Sequence, residues 1–184
     1  MRISITILQY DHGIIRQVLD VVGELLRSHR ASRYGPELKE ALTFLEQFLD
    51  RFHHAKEERF LFPAAMEECP KVAETLALLK KEHVQARRTV RSALRALEEG
   101  NVEKAERDAM RLVERITLHI SEEENRVFPV IENFLAMETD AKLYEQYQAF
   151  MQKKFGAGYY QVAEAFANDI QDRVLGPGFF KGIV

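Results

Sequence analysis

Two eleven-residue stretches of the chain carry the same reactive side chains at the same spacing. His53-His54-Ala55-Lys56-Glu57-Glu58-Arg59-Phe60-Leu61-Phe62-Pro63 and His119-Ile120-Ser121-Glu122-Glu123-Glu124-Asn125-Arg126-Val127-Phe128-Pro129 each have a His, Glu at plus four and plus five, Phe at plus nine and Pro at plus ten. On an α-helix, residues four apart share a face, separated by about 40° of rotation and about 6 Å of rise. His53 and Glu57 therefore point the same way, as do His119 and Glu123. Upstream, Asp11-His12 lies 41 residues before His53, and Glu82-His83 lies 36 before His119. The chain reads as two helical hairpins, each offering one His from its first helix and a His-x-x-x-Glu from its second.

The apolar register turns these groups inward. Leu42 and Leu49 precede His53 on its stripe, and Leu112 and Ile116 precede His119; His83 shares a stripe with Leu76, Leu79 and Val90, and His12 with Leu8, Ile15 and Leu19. A single inward His is commonly a core residue with one hydrogen-bonded nitrogen. An inward Glu differs, because an ionised carboxylate in a dry core needs a cation or several donors. The six groups His12, His53, Glu57, His83, His119 and Glu123 are too many for one small ion and suit two metals. His12 with His53 would hold one and His83 with His119 the other, with Glu57 and Glu123 bridging. His54 and Glu58 form a second His-x-x-x-Glu one position round the helix. The offsets to Phe62 and Pro63 favour His53 and Glu57, and the alternative assignment replaces them with His54 and Glu58. Without a thiolate, Cu(I) and thiolate-zinc sites are disfavoured, and mixed imidazole and carboxylate ligation suits two iron ions, then manganese or zinc. Two redox-active ions with open positions can take up dioxygen or peroxide. Ferritin-like di-metal bundles use Glu-x-x-His, the reverse order at another spacing.

The elements that position these groups follow from a three-and-four spacing of apolar residues. A first helix is predicted from Ser4 or Thr6 to Leu26, with Thr6-x-x-Gln9 as its capping box. A second begins at Pro36 and runs to Phe62, where Pro63 interrupts it. A third runs from Pro70 to Gly100, and a fourth follows Gly100-Asn101 toward Pro129. Four long helices joined by short links predict an all-α, up-down-up-down four-helix bundle over residues 1–135. Residues 136–184 read as a C-terminal helical extension packed on the bundle. Its helices are predicted over Thr139 to Phe155 and Gly158 to Leu175, split by Gly156-Ala157-Gly158. The tail Gly176-Pro177-Gly178-Phe179-Phe180 is expected to pack back through its aromatic pair.

Composition bounds the function. The chain has 184 residues, 46% hydrophobic and 30% charged, with 9 Gly and 5 Pro, which describes a folded globular chain rather than a disordered one. Its formal net charge of −3 gives no general attraction to nucleic acid or anionic lipid. Cys69 stands alone, so no intramolecular disulfide forms and a reducing compartment is compatible. No stretch reaches the roughly 18 to 20 apolar residues of a membrane span, and a cleavable leader is not evident. The expectation is a cytoplasmic protein with no nucleic-acid or membrane partner.

The pattern His, His-x-x-x-Glu, His, His-x-x-x-Glu, carried by His12, His53/Glu57, His83 and His119/Glu123, resembles the hemerythrin-like, or HHE cation-binding, family over about residues 4 to 135. The run His53-His54-Ala55-Lys56-Glu57-Glu58, followed by Leu61-Phe62-Pro63, is similar to the most recognisable stretch of bacterial members. The resemblance implies a four-helix bundle with a non-haem di-iron centre that binds or reacts with dioxygen or peroxide. Members are also linked to peroxide or nitric oxide detoxification and to iron donation to damaged iron-sulfur clusters, and a purely structural metal is the plainest alternative. Oxygen-carrying members supply His-x-x-x-His from the third helix. Here Arg87 stands four after His83, and the second carboxylate is Glu123 at plus four rather than Asp at plus five, which argues against simple oxygen carriage. Arg87 is either an ion-pair partner of a nearby carboxylate or a cation near the second metal. Tyr10, Tyr144, Tyr147, Tyr159 and Tyr160 are core residues, or one of them hydrogen-bonds a bound oxidant or supplies a metal ligand from the C-terminal helices.

Overall fold

The computed structural model describes residues 2–31 and 33–177, and within them the chain is all helical, without a strand. Helix α1 spans Ile3–Arg27. Helix α2 starts at Gly35–Leu45 and continues through the wider-turned segments Glu46–His54 and Glu57–Leu61 into Phe62–Glu68. A short turn at Pro70–Val72 leads into α3, Ala73–Glu98. Helix α4 runs over Val102–Glu122, a wider-turned Glu123–Val127 and Phe128–Phe134. Helices α5, Met137–Lys154, and α6, Tyr159–Leu175, complete the described chain. The link to α4 places Gly100 at φ +72°, and the turn between α5 and α6 places Gly156 at φ +95°; both are left-handed conformations that glycine adopts without the Cβ penalty. Phe179 and Phe180, expected to fold back on the bundle, lie outside the described residues.

Two sequence expectations are corrected. Pro63 and Pro129 do not end their helices, which continue to Glu68 and Phe134. Each proline stands two residues beyond the end of a π-helical segment, Glu57–Leu61 or Glu123–Val127. There the backbone bonds i to i+5, so the loss of one N–H at the proline is absorbed in a locally widened helix. The start of α1 is not capped by Thr6 and Gln9. Thr6 instead returns its hydroxyl to the Arg2 carbonyl, and α1 begins at Ile3. Its free N–H groups are met from a distance: Ile3 and Ser4 donate to Asp140 at 2.9 Å each, and Arg2 donates to Glu132 at 2.9 Å. A carboxylate at this end also suits the helix dipole.

The buried apolar residues fall into two clusters with the histidine layer between them. On one side lie Ile15, Leu19, Leu45, Phe48, Phe52, Val90, Leu112 and Ile116, joined by Phe150, Ala163, Ala167 and Ile170 of α5 and α6. On the other lie Ile5, Leu8, Leu61, Phe62, Leu76, Leu79, Phe128 and Ile131, joined by Leu143 and Tyr147. The same stripes that build both clusters pass through His12, His53, His83 and His119, so helix packing alone delivers those rings to the interior.

Candidate metal centre

His12, His53, His54, Glu57, His83 and Glu123 are fully buried and His119 nearly so. They form two groups that share a carboxylate: His12, His53, Glu57 and Glu123 in one, and His54, Glu57, His83 and His119 in the other, with the ligand-type atoms of each group within 4.8 Å of one another. The Nε2 atoms of His12 and His53 stand 3.1 Å apart, and those of His83 and His119 3.0 Å apart. Glu57 Oε2 lies 3.5 Å from Nε2 of both His53 and His83, spanning the two groups. Glu123 spans them on the other side, with Oε1 3.2 Å from His119 Nε2 and Oε2 3.3 Å from His12 Nε2.

Outside this layer, every one of these four imidazoles is held at Nδ1 by a carboxylate. Asp11 accepts from His53 at 3.0 Å and Glu82 from His119 at 2.7 Å. Glu58 accepts from His83 and Glu124 from His12, both at 2.9 Å. An Nδ1–H donated outward fixes the tautomer and leaves the Nε2 lone pair aimed inward. The internal repeat now has a physical meaning. In each half, Glu at plus four enters the centre, and Glu at plus five steadies the lone His of the other half. Phe at plus nine then stacks on that same ring: Phe62 on His83 at 5.8 Å and Phe128 on His12 at 5.7 Å between centroids. The acidic residue before each lone His steadies the His of the His-x-x-x-Glu in its own half.

His54 breaks the repeat, since Ile120 stands at the corresponding place. It ends the π-helical segment Glu46–His54, whose widened turn directs two consecutive imidazoles inward. Its ring stacks on His83 at 3.7 Å, and neither ring nitrogen has a hydrogen-bond partner. The nearest carboxylate, Asp50, is 4.0 Å from Nδ1 and is instead taken by Arg87 at 2.7 Å. Arg87 also reaches Glu58 at 3.3 Å, so it braces the carboxylates behind the second group. The sequence alternatives for α2 thus do not exclude each other: His53, His54 and Glu57 lie in the centre, and Glu58 lies behind His83. A crevice of about 470 Å³ between α3 and α4, lined by Leu78, Glu82, Arg115 and Leu118, reaches the outer edge of His119.

The residues fit a cation. All four oxygens of Glu57 and Glu123 are buried without a hydrogen-bond partner, as are both nitrogens of His54, and orphaned buried groups of this kind are costly unless a cation meets them. Two pairs of Nε2 atoms at 3.0–3.1 Å need a positive charge between them. In the metal-free protein protons do this work unevenly. Burial opposes charge on His119, but Glu123 and Glu82 outweigh it and raise its pKa to about 9. Burial likewise opposes His12, and Glu123 and Glu124 outweigh it. Burial lowers His53 to about 4 despite Asp11, and lowers His83 as well. Burial and then Glu123 raise Glu57 well above the usual carboxylate range. Burial pushes Glu123 the same way, but the charges of His119 and His12 prevail and hold it down.

Asp11, Glu82, Glu58 and Glu124 were legible as candidates in Asp11-His12, Glu82-His83 and the plus-five Glu of each repeat, yet the sequence reading gave Asp11, Glu82 and Glu124 no role and offered Glu58 only as an alternative ligand. No comparable signal marks Lys56 and Tyr160. Lys56 is buried over the Phe52 ring at 4.0 Å and meets Asp11 at 2.5 Å and the Tyr160 hydroxyl at 3.0 Å. No helix of the described chain is long and apolar enough to cross a membrane.

The chain is similar in sequence to known proteins. The uncharacterized protein Mb2018 of Mycobacterium bovis and the uncharacterized protein Rv1995 of Mycobacterium tuberculosis are each 21% identical over 170 residues, covering 88% of this chain. The chain spans 66% of the length of these relatives, just under two thirds. No solved structure matches it. The model of the hemerythrin HHE cation-binding domain matches residues 4–131, most of the chain, and takes in all seven centre-facing side chains from His12 to Glu123. The chain belongs to the hemerythrin HHE cation-binding family.

Proposed function

We propose that the centre holds two iron ions and that the protein binds or reacts with dioxygen or peroxide. One observation carries the reading: buried imidazole nitrogens and unpartnered carboxylate oxygens form two groups, each able to hold an ion, that share Glu57. His12 and His53 would hold one ion and His54, His83 and His119 the other, with Glu57 and Glu123 spanning both. Nitrogen and oxygen donors without thiolate match iron better than soft metals. Two adjacent redox ions supply the paired electrons that dioxygen or peroxide chemistry requires. The up-down-up-down order expected from the short links suits this reading, because it brings one His or His-x-x-x-Glu from each of four helices to one level.

The protein's own groups set the conditions for that chemistry. Asp11, Glu58, Glu82 and Glu124 keep each Nδ1–H engaged, so Nε2 is the donor atom and its basicity is raised. Phe62 and Phe128 stack on the rings of His83 and His12 and hold their orientation. Each group has four donor residues, three imidazoles in the second and two in the first; with Glu57 and Glu123 spanning both, the first ion would have four protein donors against five and be the more open to a small ligand. The test is to load the protein with iron(II) without oxygen, admit oxygen while recording the absorption spectrum, and then add peroxide. A new visible or near-ultraviolet band that depends on oxidant is expected. Iron-loaded protein whose spectrum ignores both oxidants would overturn the reactivity.

A further inference from the structure

The two halves of the centre are braced differently. Glu124, Glu58 and Glu82, which steady His12, His83 and His119, have side chains 21%, 28% and 53% exposed, and Arg16 and Arg87 meet the first two from the bundle surface. Asp11, which steadies His53, is fully buried. Its Oδ2 accepts from His53 Nδ1 at 3.0 Å and forms an ion pair with Lys56 Nζ at 2.5 Å, and its Oδ1 accepts from the Tyr160 hydroxyl at 2.8 Å. Lys56 Nζ also donates to the Tyr160 hydroxyl at 3.0 Å, which closes a ring of three side chains. Tyr160 stands on the second turn-forming residue of α6, beyond the region matched by the family model. The place corresponding to Lys56 in the other half is Glu122, so no such ring can form there.

We propose that Tyr160 and Lys56 are positioning residues of the metal centre: they fix Asp11, Asp11 fixes His53, and α6 thereby sets the affinity of the His12–His53 position. The inference rests on the two-ion reading. It has a reciprocal consequence, since a contact that strengthens ion binding must be strengthened by it to the same degree. Occupancy of the first position therefore tightens the docking of α6 on α1 and α2. The C-terminal helix is then the element through which the state of the centre is transmitted to the outside of the bundle.

Tyr160→Phe removes one hydroxyl and keeps the ring that packs on Phe52 at 5.5 Å and Tyr10 at 5.4 Å. Iron(II) is titrated anaerobically into the full chain against a competing chromophoric chelator, for wild type, Tyr160→Phe and Tyr159→Phe. The last keeps the packing of Tyr159 on Phe48 and Phe52 and leaves the Asp11 ring of hydrogen bonds intact. Loss of an outer partner of a metal ligand weakens binding by about 10- to 100-fold, and Tyr160 acts one hydrogen bond farther out through Asp11, so a loss at the lower end, about 10-fold, is expected. The expected result is such a loss for one of two ions in Tyr160→Phe only, with the other ion unchanged, an asymmetry that general destabilisation does not produce. Hydrogen exchange of residues 159–175 should slow on iron loading in wild type and slow less in Tyr160→Phe. Wild-type affinity for both ions in Tyr160→Phe, with exchange of α6 indifferent to iron, overturns the coupling alone. A wild-type chain that takes up fewer than two ions overturns the two-ion reading and the coupling with it.

Discussion

Replacing His54 by leucine should stabilise the metal-free protein and weaken the metal-loaded one. In the metal-free state the imidazole is fully buried with both nitrogens unpartnered, and each unsatisfied buried polar group costs about 1–3 kcal/mol. Burial, then the neighbouring His83, keeps the ring uncharged by pushing its pKa well below the ordinary value, so no ion pair is lost with it. Against that relief stands only the nearly face-to-face contact with His83 at 3.7 Å, an arrangement less favoured than the offset or edge-on pairs worth about 0.5–1.5 kcal/mol. Leucine refills most of the space, and a net gain of about 1–3 kcal/mol remains, or about 3–9 °C in melting temperature for a chain of this size. With iron present the sign reverses. An ion at 100 times its dissociation constant adds about 2.7 kcal/mol, and the variant forfeits that contribution at the second position. Paired urea denaturations in chelator and in excess iron(II), with metal counted in the same samples, measure both effects. A variant that is less stable than wild type in chelator and still carries two irons would refute the reasoning.

Phe128→Ala should cost about 3–5 kcal/mol, as for a fully buried aromatic ring, and should loosen the first ion position as well, because Phe128 stacks on His12; urea denaturation and iron titration read the two effects, and a loss under 1 kcal/mol would contradict the packing. Arg87→Ala frees Asp50 and Glu58 and should weaken the second ion by about tenfold while sparing the first; equal affinities by chelator competition would reduce Arg87 to a surface ion pair. The metal-free protein should be most stable between about pH 4.5 and 6.5 with respect to these groups. His119, raised to about 9 because Glu123 and Glu82 overcome its burial, contributes stability that is complete below its ordinary value of 6.5 and is lost as pH rises through 9. Glu124, lowered to about 2 because His12 and Arg16 overcome its burial, contributes stability that is present above 4.5 and is lost as pH falls toward 2. Circular dichroism melts in chelator across pH 2 to 10 test this. Iron uptake at pH 7 should also expel the His119 proton, visible as a binding enthalpy that depends on the ionisation enthalpy of the buffer.

The helical architecture was open to sequence reasoning because apolar residues recur at helical spacing on α1 to α4, and the repeat made His53, Glu57, His119 and Glu123 stand out from ordinary inward residues. What escaped was local geometry that only packing reveals. A regular α-helix turns residues 53 and 54 well apart, so a reading in one register had to choose between their imidazoles, whereas the π-helical turn admits both. The same widening let the helices pass through Pro63 and Pro129, where proline would ordinarily end them. In place of the cap expected of Thr6, Asp140 caps Ser4 from 136 positions away along the chain, and Tyr160 reached Asp11 across 149. Neither partnership leaves a local pattern. The bracing carboxylates were different. Asp11, Glu58, Glu82 and Glu124 sit at matching offsets in the two halves, and asking what holds Nδ1 of each histidine would have found them.

Metal analysis of the full chain, loaded anaerobically with iron(II) and freed of excess, tests the central claim most directly, run beside His53→Ala and Glu123→Ala. Two irons per chain in wild type and fewer in both variants is the predicted result, since in the proposed centre His53 would serve the first ion and Glu123, placed between His12 and His119, would span the pair. One iron or none in wild type, or two retained in either variant, would contradict a centre built from these groups.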